Sequence, residues 1–293
     1  MGFECYHPAI GLIYFAAVIA ATLCFQQPVF LTISFLCAFA YSVKRNGRRA
    51  LLFDLCLIPL ILLFAGFYSG YHHFGVTVLD RNFIGNRMTM ESLLYGLTLG
   101  TVTAAVFMWM SCVFSIFTAD KVVYLFGRVS PKLSLFLSIV LRMVPRLKAQ
   151  TKKISTARKA IGRGTGQGSF FRRLSNGIKL LSILITWLLE SMVVISDSMR
   201  SRGYGLKGRT AFSIYRFDSR DRSVVIGLFT CLTLLAMAVL LGQTDMEFDP
   251  RIHMNPITPL SCLFYLGYGV LCLLPLSLEV TGELRFAHLR KTV

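Results

Sequence analysis

Acidic side chains are scarce in this chain: 14 Asp and Glu stand against 31 Lys and Arg among 293 residues, a formal net charge of +17. Charge of either sign is thin as well, at 15% of residues, while 55% are hydrophobic. An ordinary soluble domain carries about 25% charged and roughly 45 to 50% apolar residues, so that class is excluded. The apolar content equally excludes a disordered basic tail. Paired cysteines are missing: Cys24, Cys37, Cys56, Cys112, Cys231, Cys262 and Cys272 lie inside long apolar runs, only Cys5 lies outside one, and no CxxC occurs. With no histidine cluster at ligand spacing either, the cysteines read as small buried hydrophobes, not as a disulfide framework or a metal site. The N-terminal MGFECYHP has no basic n-region and no A-x-A-like site follows the first apolar run, so no cleaved signal peptide is expected. What remains is an integral membrane protein with a large basic face.

A helix needs about 20 apolar residues to cross roughly 30 Å of hydrocarbon. Six stretches qualify or nearly do: 9–25, 29–43, 50–70, 92–118, 223–242 and 258–280. The first two are short and flank Gln26, Gln27 and Pro28, which predicts a tight helical hairpin. Placing 44–49, 119–222 and the C-terminal tail on one side of the membrane gathers 28 of the 31 basic residues there, leaving Arg81, Arg87 and Arg251 opposite. By the positive-inside rule that side is the cytoplasm, and both termini face it.

Nearly all the net charge sits in the block 119–222, with 21 basic and five acidic residues, net +16. It is no polar soluble domain, because it holds the apolar runs 133–144 and 180–195. The second run is only about 16 residues long, and Glu190 within it would be costly in hydrocarbon. Two long helices at the inner face are therefore expected over 131–161 and 171–202, preceded by an amphipathic piece over 121–129. Pro131 suits a first helical turn, and Gly162 and Gly203 follow the ends as C′ residues do. The glycine-rich stretch 162–169 links the two.

Catalytic constellations are absent from the sequence. His72 and His73 are adjacent, a spacing that does not set two ligands on one helical face. Asp54, near the start of the third apolar stretch, is expected to meet the helix N-terminus or Arg48 and Arg49, with a substrate-coupled carboxylate as the sharper alternative. The stretch 203–210, GYGLKGRT, imitates a P-loop but has Arg209 where the phosphate-reaching Lys belongs and no strand leading in. The chain is not expected to bind a nucleotide itself. Gly96 and Gly100 form a G-x-x-x-G that allows close helix approach, either within the bundle or toward a partner membrane protein.

The two inner helices end alike, in Ser155, Thr156, Ala157, Arg158, Lys159 and in Met199, Arg200, Ser201, Arg202, Gly203. Each offers an arginine beside a small residue near a helix C-terminus, where a cation is favoured by the dipole and can grip a carboxylate at two points. Two ordinary dipole-compensating arginines would look the same. At this point the chain resembles the transmembrane T component of energy-coupling factor (ECF) transporters, the vitamin and metal importers of prokaryotes. The resemblance is read over nearly the whole length. It rests on His7 and Pro8, on Arg142, Met143, Val144, Pro145, Arg146, and above all on the run from Asp197 through Arg200, Ser201, Arg202 and Gly203 to Gly205.

The resemblance implies an all-α polytopic membrane protein of about six transmembrane helices plus long cytoplasmic coupling helices, with the organisation 1–118, 119–222 and 223–293. It implies two X-Arg-X motifs, Ala157-Arg158-Lys159 and Ser201-Arg202-Gly203, docking into two cytoplasmic ABC ATPase subunits. The last residue of the first motif departs from the commoner glycine or serine, which leaves Arg163 as an alternative register. A membrane-embedded S component would recognise a vitamin or metal ion such as cobalt or nickel, and the chain would lie in the cell membrane of a prokaryote. No cofactor is implied in this chain; ATP and magnesium belong to the partner ATPases. The competing class is a self-contained secondary transporter or channel, which would show internal repeats or mid-membrane polar residues. A nucleic-acid partner is not expected, since the basic block carries apolar helices and its charges suit an anionic lipid surface as well.

Overall fold

A computed structural model describes residues 3–72, 75–81, 87–204, 206, 215, 217–248, 252–254, 256 and 258–292. The architecture is all-α, with two short two-stranded antiparallel ribbons. The chain forms two compact units, Met1–Thr118 with Tyr215–Val293, and Ala119–Ile214.

The first unit contains α1 (Pro8–Cys24), α2 (Pro28–Asn46), α3 (Arg48–Tyr71), α4 (Met90–Ile116), α8 (Ser219–Leu240) and α9 (Pro259–Thr292). Local chemistry marks their ends. Pro8 and Pro28 sit in first turns, where the missing N–H costs nothing. Gly47, at φ +65, closes α2 by donating to the Val43 carbonyl at 3.0 Å and opens α3 directly. Thr89 Oγ1 caps α4 by accepting from Ser92 N–H, and Asp218 with Asp221 forms a capping box on α8. The ribbons β1 (Val78–Arg81) with β2 (Arg87–Thr89), and β3 (Met246–Glu247) with β4 (His253–Met254), link α3 to α4 and α8 to α9.

Gly96 and Gly100 of α4 face the backbone of α3: a Cβ built on Gly96 would lie 2.9 Å from Ala65 Cα, and one on Gly100 3.0 Å from Ile61 Cα. The small-residue stripe is thus occupied within this unit. The core gathers Tyr14, Tyr41, Phe30, Trp109, Met108, Tyr268 and Leu271. Polar groups inside it are paired across great sequence distance. Thr22 Oγ1 lies 2.8 Å from Ser34 Oγ and 3.2 Å from Tyr268 OH, Trp109 Nε1 donates to Ser34 Oγ at 3.1 Å, and Tyr14 OH donates to the Cys272 carbonyl at 3.3 Å. Nearer the charged end of α2, Tyr41 OH donates to Glu279 Oε1 at 3.3 Å. Arg45 pairs with Glu279 at 3.6 Å and with Glu4, while Lys44 meets Glu283 at 2.6 Å. This clasp fixes α9 against α2. The predicted α1–α2 hairpin is a weak feature by comparison, because α2 packs chiefly on α4 and α9, and α1 on α4.

The described residues of the second unit form three helices: α5 (Ala119–Val129), α6 (Pro131–Ala160) and α7 (Phe170–Ser201). The two long ones match the sequence expectation within a residue at each end. Ser134 Oγ donates to the Val123 carbonyl at 3.1 Å, tying α5 to α6.

Among the described residues, five helices are long and apolar enough to cross a membrane: α3, α4, α7, α8 and α9. Two differences from the sequence expectation stand out. At 17 residues, α1 extends only about 25 Å, and α2 ends in Lys44, Arg45 and Asn46, so neither is among those five. The helix α7, expected at the inner face, is 32 residues long and apolar enough to cross a membrane, and its apolar stretch is not buried.

Candidate functional site

The arginine-bearing ends of α6 and α7 are built by the same backbone device. At the end of α6, Gly162 takes φ +69; its N–H donates to the Lys159 carbonyl at 3.1 Å, and Arg163 N–H donates to the Arg158 carbonyl at 2.9 Å. At the end of α7, Gly203 takes φ +74; its N–H donates to the Arg200 carbonyl at 3.0 Å, and Tyr204 N–H to the Met199 carbonyl at 3.0 Å. Both are Schellman caps, with glycine at the left-handed position an L side chain resists.

The side chains at the two ends differ. Arg202 is the half-helical cap of α7 and is exposed, as is Ser201, whose Oγ donates back to the Ser198 carbonyl. Arg158 stands one turn inside α6 and is partly buried. Its Nη2 donates to Asn176 Oδ1 at 3.5 Å, and its Nε is buried without a hydrogen-bond partner among the described residues. Asn176 in turn donates to the Gly164 carbonyl at 3.2 Å, and Gly164 N–H donates to Gln167 Oε1 at 3.0 Å. Asn176 is the single buried residue of α7. The guanidinium of Arg158 therefore reaches across the glycine linker to the start of the next helix, while Ala157, Lys159, Ile161 and Arg163 are exposed. Sequence reasoning missed Asn176. An asparagine in a helical, basic context carries no pattern of its own, and only the fold puts it beside Arg158.

The other residues singled out from the sequence do not converge on a site. Asp54 is fully buried, and neither of its carboxylate oxygens has a hydrogen-bond partner among the described residues, so the expected pairing with Arg48 or Arg49 is not formed. The His72 ring stacks on Tyr68 at 4.3 Å, and His73 lies outside the described residues, as do Gly205 and residues 207–210 of the P-loop imitation. Among the described residues no group of three metal-ligating side chains occurs.

No family model matches the chain. Among curated proteins, the energy-coupling factor transporter transmembrane protein EcfT of Lactococcus lactis is 33% identical over 107 residues, 36% of this chain and 40% of that protein. The chain resembles EcfT. The protein of that name from Listeria innocua is 38% identical over 112 residues, 38% of this chain and 39% of its own length. That from Bacillus subtilis is 31% identical over 105 residues, 36% of this chain and 40% of its own. The likeness to EcfT read from the sequence is thus found independently, though over little more than a third of the chain and about two-fifths of each relative, where the sequence suggested nearly the full length.

Proposed function

We propose that this chain is the transmembrane coupling subunit of an ATP-driven ECF importer. Its part is mechanical: two cytoplasmic ABC ATPase subunits engage the ends of α6 and α7, and ATP-driven closure of that pair moves the two helices. A membrane-embedded S component carrying a vitamin or metal ion responds to the movement and releases its cargo inward. Ser201, Arg202 and Gly203 form one contact, and the segment from Ala157 to Arg163 forms the other. The chain has no catalytic role of its own; ATP and magnesium are held by the ATPase subunits. It lies in a prokaryotic cell membrane with both termini and the basic block in the cytoplasm, where the excess of Lys and Arg favours it.

The observation that carries this proposal is the pair of identically capped helix ends within the sequence block 119–222 of net +16, in a chain similar to EcfT. A helix end whose last carbonyls are satisfied by a Schellman cap is a stiff rod end, suited to transmit displacement. Isolation of the chain from native membranes in mild detergent tests the proposal: two ATPase subunits are expected to come with it. A lone chain that transports substrate in liposomes without them would overturn it.

A further inference from the structure

The stretch 162–169 reads in sequence as a glycine linker, and in the structure it is laced to the start of α7. Arg173 Nε donates to the Gly168 carbonyl at 3.0 Å, Gly164 N–H donates to Gln167 Oε1 at 3.0 Å, and Asn176 Nδ2 donates to the Gly164 carbonyl at 3.2 Å. Asn176 also serves the helix before it, because its Oδ1 accepts from Arg158 Nη2 at 3.5 Å. The two contacts agree on the orientation of the amide, since a carbonyl can only accept and a guanidinium can only donate. Asn176 is the one buried residue of α7, at 7% exposure, so its amide depends on these partners and not on water.

We infer that Asn176 is a positioning residue for Arg158: it holds that guanidinium ready for an ATPase carboxylate and joins the first docking end to the second through α7. This rests on the coupling role proposed above. A long arginine loses more rotamer freedom on being held than most side chains do, and Asn176 imposes that order before a partner arrives, which lowers the cost of docking. With Nε buried and one Nη2 hydrogen given to Asn176, the remaining Nη donors form the edge that meets a partner carboxylate. Arg163, the alternative register, gives its backbone N–H to the cap and keeps its side chain exposed, outside this network. The consequence is mechanical. The 32 residues of α7 extend about 48 Å, with Asn176 in the second turn and Arg202 at the far end. Through Asn176 the two docking arginines answer to opposite ends of one helix. A displacement imposed on Arg158 reaches Arg202 along a rod and not through slack glycines.

A double-mutant cycle on the full chain tests this, read as the affinity of the detergent-solubilised chain for the ATPase subunits that co-purify with it. Arg158→Ala should weaken that affinity by at least about thirtyfold, as losing one side of a desolvated charge pair does. Asn176→Ala should weaken it about three- to tenfold, the effect of one side chain no longer ordered in advance. The double variant should lose no more than Arg158→Ala alone, because Asn176 acts through Arg158. Asn176→Asp, nearly the same size, should lose more than Asn176→Ala, since its carboxylate captures the guanidinium that the partner requires. Losses that multiply in the double variant would make Asn176 a merely structural residue and overturn the inference, as would wild-type affinity in Asn176→Ala or a smaller loss in Asn176→Asp than in Asn176→Ala. If Arg163→Ala loses the ATPase while Arg158→Ala keeps it, the inference fails and the coupling role stands. If no ATPase co-purifies with the wild-type chain, the coupling role itself fails.

Discussion

Gly96 shows how a single missing methyl group can decide helix packing. A Cβ there would sit 2.9 Å from Ala65 Cα, a backbone atom that has no rotamer to retreat into. Gly96→Ala should therefore destabilise the first unit by about 1 to 3 kcal/mol, the usual cost of overpacking. Gly66 on α3 offers the matched control, since a Cβ there meets nothing within 4 Å; Gly66→Ala should be neutral or mildly stabilising through helix propensity. Thermal unfolding in detergent, followed by the midpoint of each variant, separates the two. The G-x-x-x-G was legible in the sequence because the motif is short and local. Its partner was not, because Ala65 and Ile61 carry no signal until α3 and α4 lie side by side.

At the scale of the element, the ends of α6 and α7 were legible because proline and glycine punctuate them: Pro131 opens one, and Gly162 and Gly203 close both. The apolar run 180–195 with Glu190 inside it reads from sequence as an inner-face helix, whereas the helix that forms is 32 residues long and apolar enough to cross a membrane. For the α7 end, Arg202→Ala is expected to weaken ATPase association by about 2 to 5 kcal/mol, as truncating one side of a desolvated charge pair does. Arg202→Lys should rescue poorly, because an ammonium keeps the charge and loses the planar fork. Neutralising Arg172 and Arg173, both exposed at the start of α7, should matter less. ATPase retention and substrate uptake measured together would reveal equal, mild losses at all three sites if only general surface charge were at work.

For the whole molecule, the distribution of basic residues predicts orientation. In a cysteine-free background, single cysteines at Ser169 and Ser219, both exposed, should resist a membrane-impermeant thiol reagent in intact cells and react once the membrane is opened; labelling of either from outside would invert the topology. The clasp between the first two helices and the last has a different consequence, one of timing. Thr22 finds Tyr268 across 246 residues, Tyr41 finds Glu279 across 238, and Lys44 finds Glu283 across 239. At a synthesis rate of about 5 to 20 residues per second, the hydroxyls and charges of α1 and α2 wait about 12 to 50 s for their partners to leave the ribosome. During that interval the nascent chain is an unfinished client of the insertion machinery. A chain halted before α9 should be cleared by membrane proteases several-fold faster than the full one in a pulse-chase. The arrival of α9 is thus the step that closes the first unit.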